Sequence, residues 1–292
     1  MVNYEGAIDY IILKDDPRYR YIIFFLDNHN PSKYCPIPAE NIDSLFNKFN
    51  EDNTNLFLFE ELINETEYIP IFPKTKHLIK YLKFYNKHMK NDNIIPIDIR
   101  ITFDNTEHES INIFKNLDIL FNLSLDKDEK INSIKEHLYN VCNKSEKFNE
   151  HFLKLKNHYI NIKESIIKNN LIEILKKNNG SSNDKIYLNY PWSIDPEFNI
   201  ISEENILNIW ELLYSSLLEL YTISWIEYSS SKYIIVYLGA SHCLSIFSIL
   251  NKFYSYRNIK NFKDIDIRTI SKLNLDIFDN LERSCINFNI DN

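Results

Sequence analysis

The sequence predicts an α/β protein with a mainly parallel sheet flanked by helices. In the first hundred residues, apolar runs of strand length alternate with segments whose apolar residues have helical spacing. A second strand-then-helix unit follows late in the chain. With 292 residues, 44% of them hydrophobic and 25% charged, the chain has the composition of a globular protein with a large core.

The N-terminal part follows a β-α-β-α-β pattern. Its strand-like runs are residues 21–26, 56–59 and 95–103, the last with strict alternation of polar and apolar residues. The apolar stripes of its two helices are Ile42, Leu45, Phe46 and Phe49, and then Leu78, Tyr81, Leu82 and Tyr85. Because crossover connections between strands of one sheet are right-handed and join parallel strands, we expect these strands to be parallel.

The middle and C-terminal parts follow a different order. Residues 109–178 have a helical pattern and are rich in Lys, Asn and Glu, which is typical of an insertion or cap. A linker is predicted at 178–184. The later predicted elements are a strand at 186–192, a helix at 202–228, a strand at 233–238, a helix at 243–254 and a short apolar segment near Ile265.

Two strand-and-helix units are alike in sequence. Residues 21–26 and 233–238 are both continuous apolar runs, each soon followed by a histidine and then by a helix with one apolar stripe. We interpret this likeness as two pseudo-repeated halves. The predicted organisation is a single domain with an N-terminal half at 1–104, a helical insertion at 105–180 and a C-terminal half at 181–292.

Composition excludes several functions. The net charge of −8 disfavours binding to a nucleic-acid backbone. The chain has only three glycines, Gly6, Gly180 and Gly239, so it has neither a dinucleotide-binding GxGxxG turn nor a phosphate-binding Walker loop. Its four cysteines lack CxxC spacing, which argues against a zinc finger or a disulfide framework.

The sequence also suggests a cellular location. No apolar run reaches the roughly 18 residues that span a bilayer, and the first ten residues have no signal-peptide pattern. We therefore expect a cytoplasmic protein that does not bind membranes. The abundance of Asn, Ile, Lys and Tyr is typical of AT-rich genomes such as those of large DNA viruses, and a viral protein would act in the host cytoplasm.

Candidate site residues follow the predicted strands. In parallel sheets, ligands bind outside the carboxyl ends of the strands, where helix N-termini also point. His29 follows the first strand and His242 the late one, at the end of Gly239-Ala240-Ser241-His242. The other ionisable residues at or near strand ends are Glu60, Glu61, Asp98 and Arg100.

Each of these residues also has a purely structural interpretation. A histidine after a strand is commonly a surface or capping residue, and Glu60 with Glu61 could simply begin a loop or favour a helix N-terminus. Asp98 and Arg100 are two residues apart, so on a strand they share a face and could form a structural ion pair. Gly239 is more informative, because glycine at a strand end in so glycine-poor a chain indicates positive φ or a close backbone approach.

These residues give the chain a resemblance to a known superfamily. A strand ending in Gly-x-x-His, an earlier strand followed by histidine and another followed by glutamate resemble the TraB/TIKI, ChaN-like and erythromycin-esterase-like proteins. The resemblance covers residues 20–104 and 230–256, and this chain has Asp27 where the first motif of the superfamily usually has glycine. By position, it implies site roles for His29, Glu60, His242 and Arg100.

The resemblance implies a hydrolase acting on an ester or amide-like bond of a small-molecule or peptide substrate. In one form, His29 or His242 is the general base, Glu60 orients the imidazole or the water, and Arg100 stabilises negative charge. In another, His29, Glu60 and His242 bind a divalent metal ion that activates water. Two alternatives use the same fold: a non-catalytic host-interaction protein that binds a protein partner, and a haem- or metal-binding protein.

Overall fold

The structure is a computed structural model that describes residues 2–27, 38–51, 54–60, 84, 87–88, 91–99, 118–122, 129–168, 206–260 and 285–288. The chain divides into two compact units, residues 1–97 with 229–292, and residues 98–228. We describe each unit by itself. The predicted domain boundaries at 104 and 180 stay predictions.

The described residues of the first unit form nine strands in two sheets and two helices. The strands are β1 (Val2–Glu5), β2 (Asp9–Asp15), β3 (Arg20–Asp27), β4 (Glu40–Asn41), β5 (Leu56–Phe59), β6 (Ile94–Pro96), β7 (Tyr233–Gly239), β8 (Arg257–Lys260) and β9 (Cys285–Phe288). The helices are α1 (Ile42–Phe49) and α5 (Ala240–Phe253). The second unit contributes α2 (Glu129–Lys144), α3 (Glu146–Lys168) and α4 (Ile206–Tyr228).

The main sheet has the strand order β6-β5-β7-β3-β2-β8. Strands β6, β5, β7 and β3 are mutually parallel, whereas β2 is antiparallel to both of its neighbours. A smaller sheet has the order β4-β1-β9. The predicted α/β class is therefore confirmed in its coarse form, as a mixed sheet with parallel pairs and flanking helices, while the pseudo-repeat stays a prediction.

Strands β3, β5 and β7 form where the sequence has continuous apolar runs, because both faces of these strands are buried. Alternate residues of each strand face opposite sides of the sheet. On one side, Phe25, Phe57 and Tyr237 pack with the apolar stripe of α1. Helix α5 contacts β3 and β7 and lies on the opposite side, where Phe24 and Val236 are also fully buried.

Helix α1 follows local sequence signals. Asn41 caps its N-terminus by accepting a hydrogen bond from the Asp43 amide, with 3.3 Å between the two atoms. Asp43 in the first turn and Lys48 in the last complement the helix dipole. The apolar stripe then places Phe46 in the core, where its ring contacts those of Phe25, Phe57, Phe59, Phe84 and Tyr237 at centroid distances of 5.5 to 6.2 Å.

A buried ion pair lies at the amino end of β3, opposite the candidate site. The Arg20 guanidinium donates to the Asp15 carboxylate at 2.7 Å, to the Ser229 carbonyl at 2.6 Å and to the Tyr256 hydroxyl at 2.8 Å. Arg20 is 1% exposed and Asp15 is 2% exposed. These partners offset the cost of burying the charged guanidinium. Since Ser229 precedes β7 and Tyr256 follows α5, the bonds also join the β2–β3 hairpin to both ends of the segment that contains β7 and α5.

In the second unit, α4 packs against both α2 and α3. From Ser216 to Ser224 every residue of α4 is buried, which is the pattern of a helix enclosed on all sides. The buried hydroxyls of Thr222 and Ser224 donate to carbonyls of the preceding turn at 2.7 and 2.6 Å. The His137 ring stacks on Trp225 with 4.1 Å between centroids, and its Nε2 atom lies 3.0 Å from Ser224 Oγ.

Several sequence predictions need correction. In the alternating segment 95–103, strand β6 ends at Pro96, Ile97, Asp98 and Ile99 lie outside it, and residues 100–103 are not among the described residues. The reason is that its partner β5 ends at Phe59, whose carbonyl accepts the last bond, from the Ile97 amide at 3.0 Å. Strands β1, β2, β4, β8 and β9 were not predicted. The predicted strand 186–192 and the segment near Ile265 lie outside the described residues, as does the predicted helix at 78–85 apart from Phe84.

The α1 core gives a stability prediction. We expect Phe46→Ala to lower the free energy of unfolding by about 3 to 5 kcal/mol, because it leaves a cavity among five aromatic rings. Ile259→Ala is the control, since Ile259 is 45% exposed and its loss should cost less than about 0.5 kcal/mol. Urea unfolding of both variants is the measurement, and equal midpoints would contradict the core described here.

The second unit gives a pH prediction. Burial, with a smaller effect of nearby lysines, lowers the pKa of His137 and of His151 from 6.5 to about 4. Between these values the unfolded chain binds more protons than the folded one, so the free energy of unfolding should fall as pH is lowered from 6.5 to about 4.

Unfolding of wild type, His137→Gln and His151→Gln across this range measures the effect. Each variant should remove up to about 1.4 kcal/mol per pH unit from the pH dependence. If the slopes of the variants equal that of the wild type, the histidines are not buried in the neutral form.

Candidate functional site

The candidate site lies at the carboxyl ends of β3, β5 and β7. Strands β3 and β7 are adjacent and parallel, and the next helix after each in the sequence packs on a different face of the sheet, α1 after β3 and α5 after β7. This divergence is a topological switch point, where α/β sheets open a crevice for ligands. It is the position at which the sequence predicted a site.

Glu60 follows β5 directly and is attached to the end of β7 by two hydrogen bonds. Its backbone amide donates to the Tyr237 carbonyl at 3.1 Å, and its carboxylate accepts the amide proton of Gly239. Glu60 is 5% exposed. A buried carboxylate bound to a backbone amide is a strong, charge-assisted contact.

Gly239 is both the last residue of β7 and the N-cap of α5. Its φ of −51° is not positive, so the positive-φ interpretation of this glycine is wrong. Glycine has no side chain to cap the helix, and no cap bond from it is present. The first-turn amides of α5 are therefore not satisfied by the side chain that normally caps them.

His242 lies in the first turn of α5, three residues after Gly239, and is half-buried. Residues on both sides of it in the sequence interact with Glu60: the Gly239 amide donates to the Glu60 carboxylate, and the charge of Glu60 helps to raise the pKa of Cys243. Glu60 and His242, predicted from strand ends far apart in the sequence, thus belong to the same edge of the sheet. His242 differs from Glu60 in being accessible.

Two further residues of this edge were not among the predicted site residues. Asp27 is 2% exposed and pairs with Gly239 in the β3–β7 register, so two carboxylate residues, Asp27 and Glu60, flank the end of β7. The thiol of Cys243 lies 3.7 Å from the Phe25 carbonyl and 3.6 Å from the Leu238 carbonyl. Complete burial raises the pKa of Cys243, and the charges of Glu60 and Asp27 add to this effect.

The remaining predicted site residues are placed as follows. His29, Glu61 and Arg100 lie outside the described residues. Asp98 is half-buried, follows the end of β6 by two residues and belongs to the second unit. Its predicted place on a strand is therefore wrong.

The donor set at this edge does not make a metal site by itself. Within the described ranges, no group of three or more His, Cys, Asp and Glu side chains is arranged to hold a metal ion. The Glu60 carboxylate already accepts the Gly239 amide proton, and burial keeps the Cys243 thiol protonated at neutral pH.

Among the helices that the structure describes, none combines the length and the apolar character that a membrane span requires.

Comparisons of the chain with protein-family models, with curated proteins and with solved structures found no match. The fold and the site are therefore interpreted from the residues themselves.

The environment of Cys243 gives a labelling prediction. We expect iodoacetamide at pH 8 to leave Cys243 unmodified in the folded protein, because the thiolate is the reactive form and this thiol is buried. Peptide mass spectrometry measures the labelling, and the same reaction in 8 M urea is the control, in which all four cysteines should react. Labelling of Cys243 at equal rates in both conditions would contradict the burial described here.

Proposed function

We propose that the protein is a hydrolase that activates water at the carboxyl edge of the parallel strands and cleaves an ester or amide-like bond. The observation that carries the proposal is the position of His242 in the first turn of α5, beside the switch point between β3 and β7. Four titratable residues lie at this edge: Asp27, Glu60, His242 and Cys243. The side chain of His242 is accessible, whereas the other three are buried.

In the proposed reaction, His242 acts as general base. Its neutral imidazole takes a proton from water as the water oxygen attacks the acyl carbon of the substrate. The imidazolium then gives this proton to the departing alcohol or amine, which restores the neutral base. Such proton transfer contributes roughly 10²- to 10⁴-fold to the rate.

The first-turn amides of α5 supply the complementary charge stabilisation. As N-cap, Gly239 has no side chain of its own to cap them, and the N-terminal end of the helix dipole favours negative charge. In the proposal they bind the oxyanion that forms when water adds to the carbonyl. The sequence assigned this role to Arg100, which stays a candidate for substrate binding, as His29 stays one for a second base.

The proposed mechanism needs no metal ion for the steps assigned to His242. The metal form of the hypothesis, with His29, Glu60 and His242 as ligands, remains a distinct proposal with a distinct test. Metal analysis of the purified protein, before and after dialysis against EDTA, separates the two. Loss of hydrolysis with loss of bound metal would replace the metal-free mechanism by the metal-dependent one.

The decisive experiment is hydrolysis of a panel of p-nitrophenyl esters and aminoacyl p-nitroanilides by the wild type and His242→Gln. We expect the variant to lose about 10²-fold or more in kcat/KM, because glutamine cannot transfer the proton. His88→Gln is the matched control, since His88 contacts Asn47 and Asn50 instead of this edge and its replacement should leave kcat/KM within about twofold.

Equal activity of the wild type and His242→Gln would overturn the proposal, as would absence of turnover across the panel. Circular dichroism of the variant shows whether any loss of activity is a loss of fold. A protein partner captured equally well by the wild type and His242→Gln, without turnover, would favour the host-interaction alternative.

A further inference from the structure

The connection between the ends of β5 and β7 has an unusual final bond. In a parallel pair, a residue donates its amide to one residue of the neighbouring strand and accepts at its carbonyl from the residue two positions further on. The Glu60 amide donates to the Tyr237 carbonyl, so the regular continuation would run from the Gly239 amide to the Glu60 backbone carbonyl. The Gly239 amide donates to the Glu60 side chain.

The Glu60 carboxylate therefore occupies the place of a backbone acceptor in the ladder. It adds one hydrogen bond between the two chain segments beyond Phe59, where β5 ends. On its other side, Gly239 is in register with Asp27 of β3. The last residue of β7 is thus fixed between two neighbours just before the chain turns into α5.

This bond determines where the first turn of α5 begins. Gly239 is the N-cap, and the backbone of a cap residue sets the direction in which the helix starts. His242 is the third residue of that helix. A displacement of the Gly239 amide is therefore carried to His242 through three residues of regular backbone.

From this geometry we infer that Glu60 is a positioning residue: its carboxylate holds the Gly239 amide, and thereby His242, without contacting substrate. Its 5% exposure agrees with this role, since a group that touches substrate or water must be reachable. The inference rests on the proposed function for its effect on catalysis, while the bond itself can be tested without any substrate.

The catalytic test compares three substitutions of Glu60. Glu60→Gln keeps an oxygen that accepts the amide proton, so we expect kcat/KM to stay within about threefold of the wild type. Glu60→Ala removes the acceptor, and Glu60→Met does so while filling a similar volume. Both should lower kcat by about 10- to 100-fold with little change in KM, because a misplaced base slows the chemical step.

If Glu60 transferred a proton or bound a metal ion, Glu60→Gln would be as inactive as Glu60→Ala, and this outcome would overturn the positioning role. Asp43→Asn is the control for loss of a buried carboxylate in the same unit. Asp43 is 8% exposed and lies in α1, so its change should leave kcat unaffected.

The substrate-free test uses the low glycine content of the chain. Protein labelled with ¹⁵N-glycine gives only three backbone amide signals, from Gly6, Gly180 and Gly239, and the Gly239 signal is assigned by its loss in Gly239→Ala. We expect its hydrogen exchange to be slow in the wild type, Glu60→Gln and Asp43→Asn. In Glu60→Ala and Glu60→Met it should be at least 10-fold faster, while the Gly6 signal serves as an internal reference.

The two tests separate the possible failures. Equal exchange of Gly239 in all variants would overturn the bond and the positioning role together. A second outcome is slow exchange of Gly239 that depends on Glu60, together with full activity of His242→Gln. This outcome would support the bond between Glu60 and Gly239, but it would overturn the proposed function and with it the effect of Glu60 on catalysis.

Discussion

The parallel pairing of β3 with β7 is the interaction on which the first unit depends. Seven consecutive residue pairs are in register, from Tyr21 with Tyr233 to Asp27 with Gly239. The pairing places the Phe25 and Tyr237 side of the sheet against α1 and brings α5 onto the other side. Every part of the candidate site is positioned by it, because it sets Asp27 beside Gly239 and leaves Glu60 on the far side of β7.

Buried charged groups have different partners at the two ends of the parallel strands. At the amino end, Arg20 and Asp15 neutralise each other, and the guanidinium is further bound by Ser229 and Tyr256. At the carboxyl end, the Glu60 carboxylate accepts the amide proton of Gly239 at the start of a helix. The first arrangement is typical of a structural anchor, and the second joins a buried carboxylate to the strand end that leads into the helix of His242.

Much of the parallel core could be predicted from sequence. Strands β3, β5 and β7 are continuous apolar runs because both of their faces are buried, and the stripe Ile42, Leu45, Phe46 and Phe49 identified α1 directly. Strand β8 could not be predicted, because Arg257–Lys260 is polar and joins the sheet through its backbone. Alternation in Ile97-Asp98-Ile99 was misleading, since a strand also requires a partner and β5 has already ended.

The positions of two candidate site residues could also be predicted from the sequence, although their function stays a prediction. The rule that ionisable groups gather after parallel strands identified Glu60 and His242, but it gives no order of strands. That β7 lies between β3 and β5 follows from long-range pairing, and only this order explains why Glu60 binds Gly239 and why Asp27 adjoins it. Asp27 was noted in the sequence only as a departure from the glycine of the resembling proteins.

The strand order has a consequence for biosynthesis. Because β7 separates β3 from β5 in the sheet, a nascent chain that has emerged only as far as β5 has a gap one strand wide between two apolar strands. That gap can be filled only after about 170 further residues have left the ribosome, which at ordinary translation speeds takes roughly 10 to 30 seconds. During this interval unsatisfied strand edges are exposed, so the main sheet is expected to form only after β7 has emerged and to benefit from a chaperone.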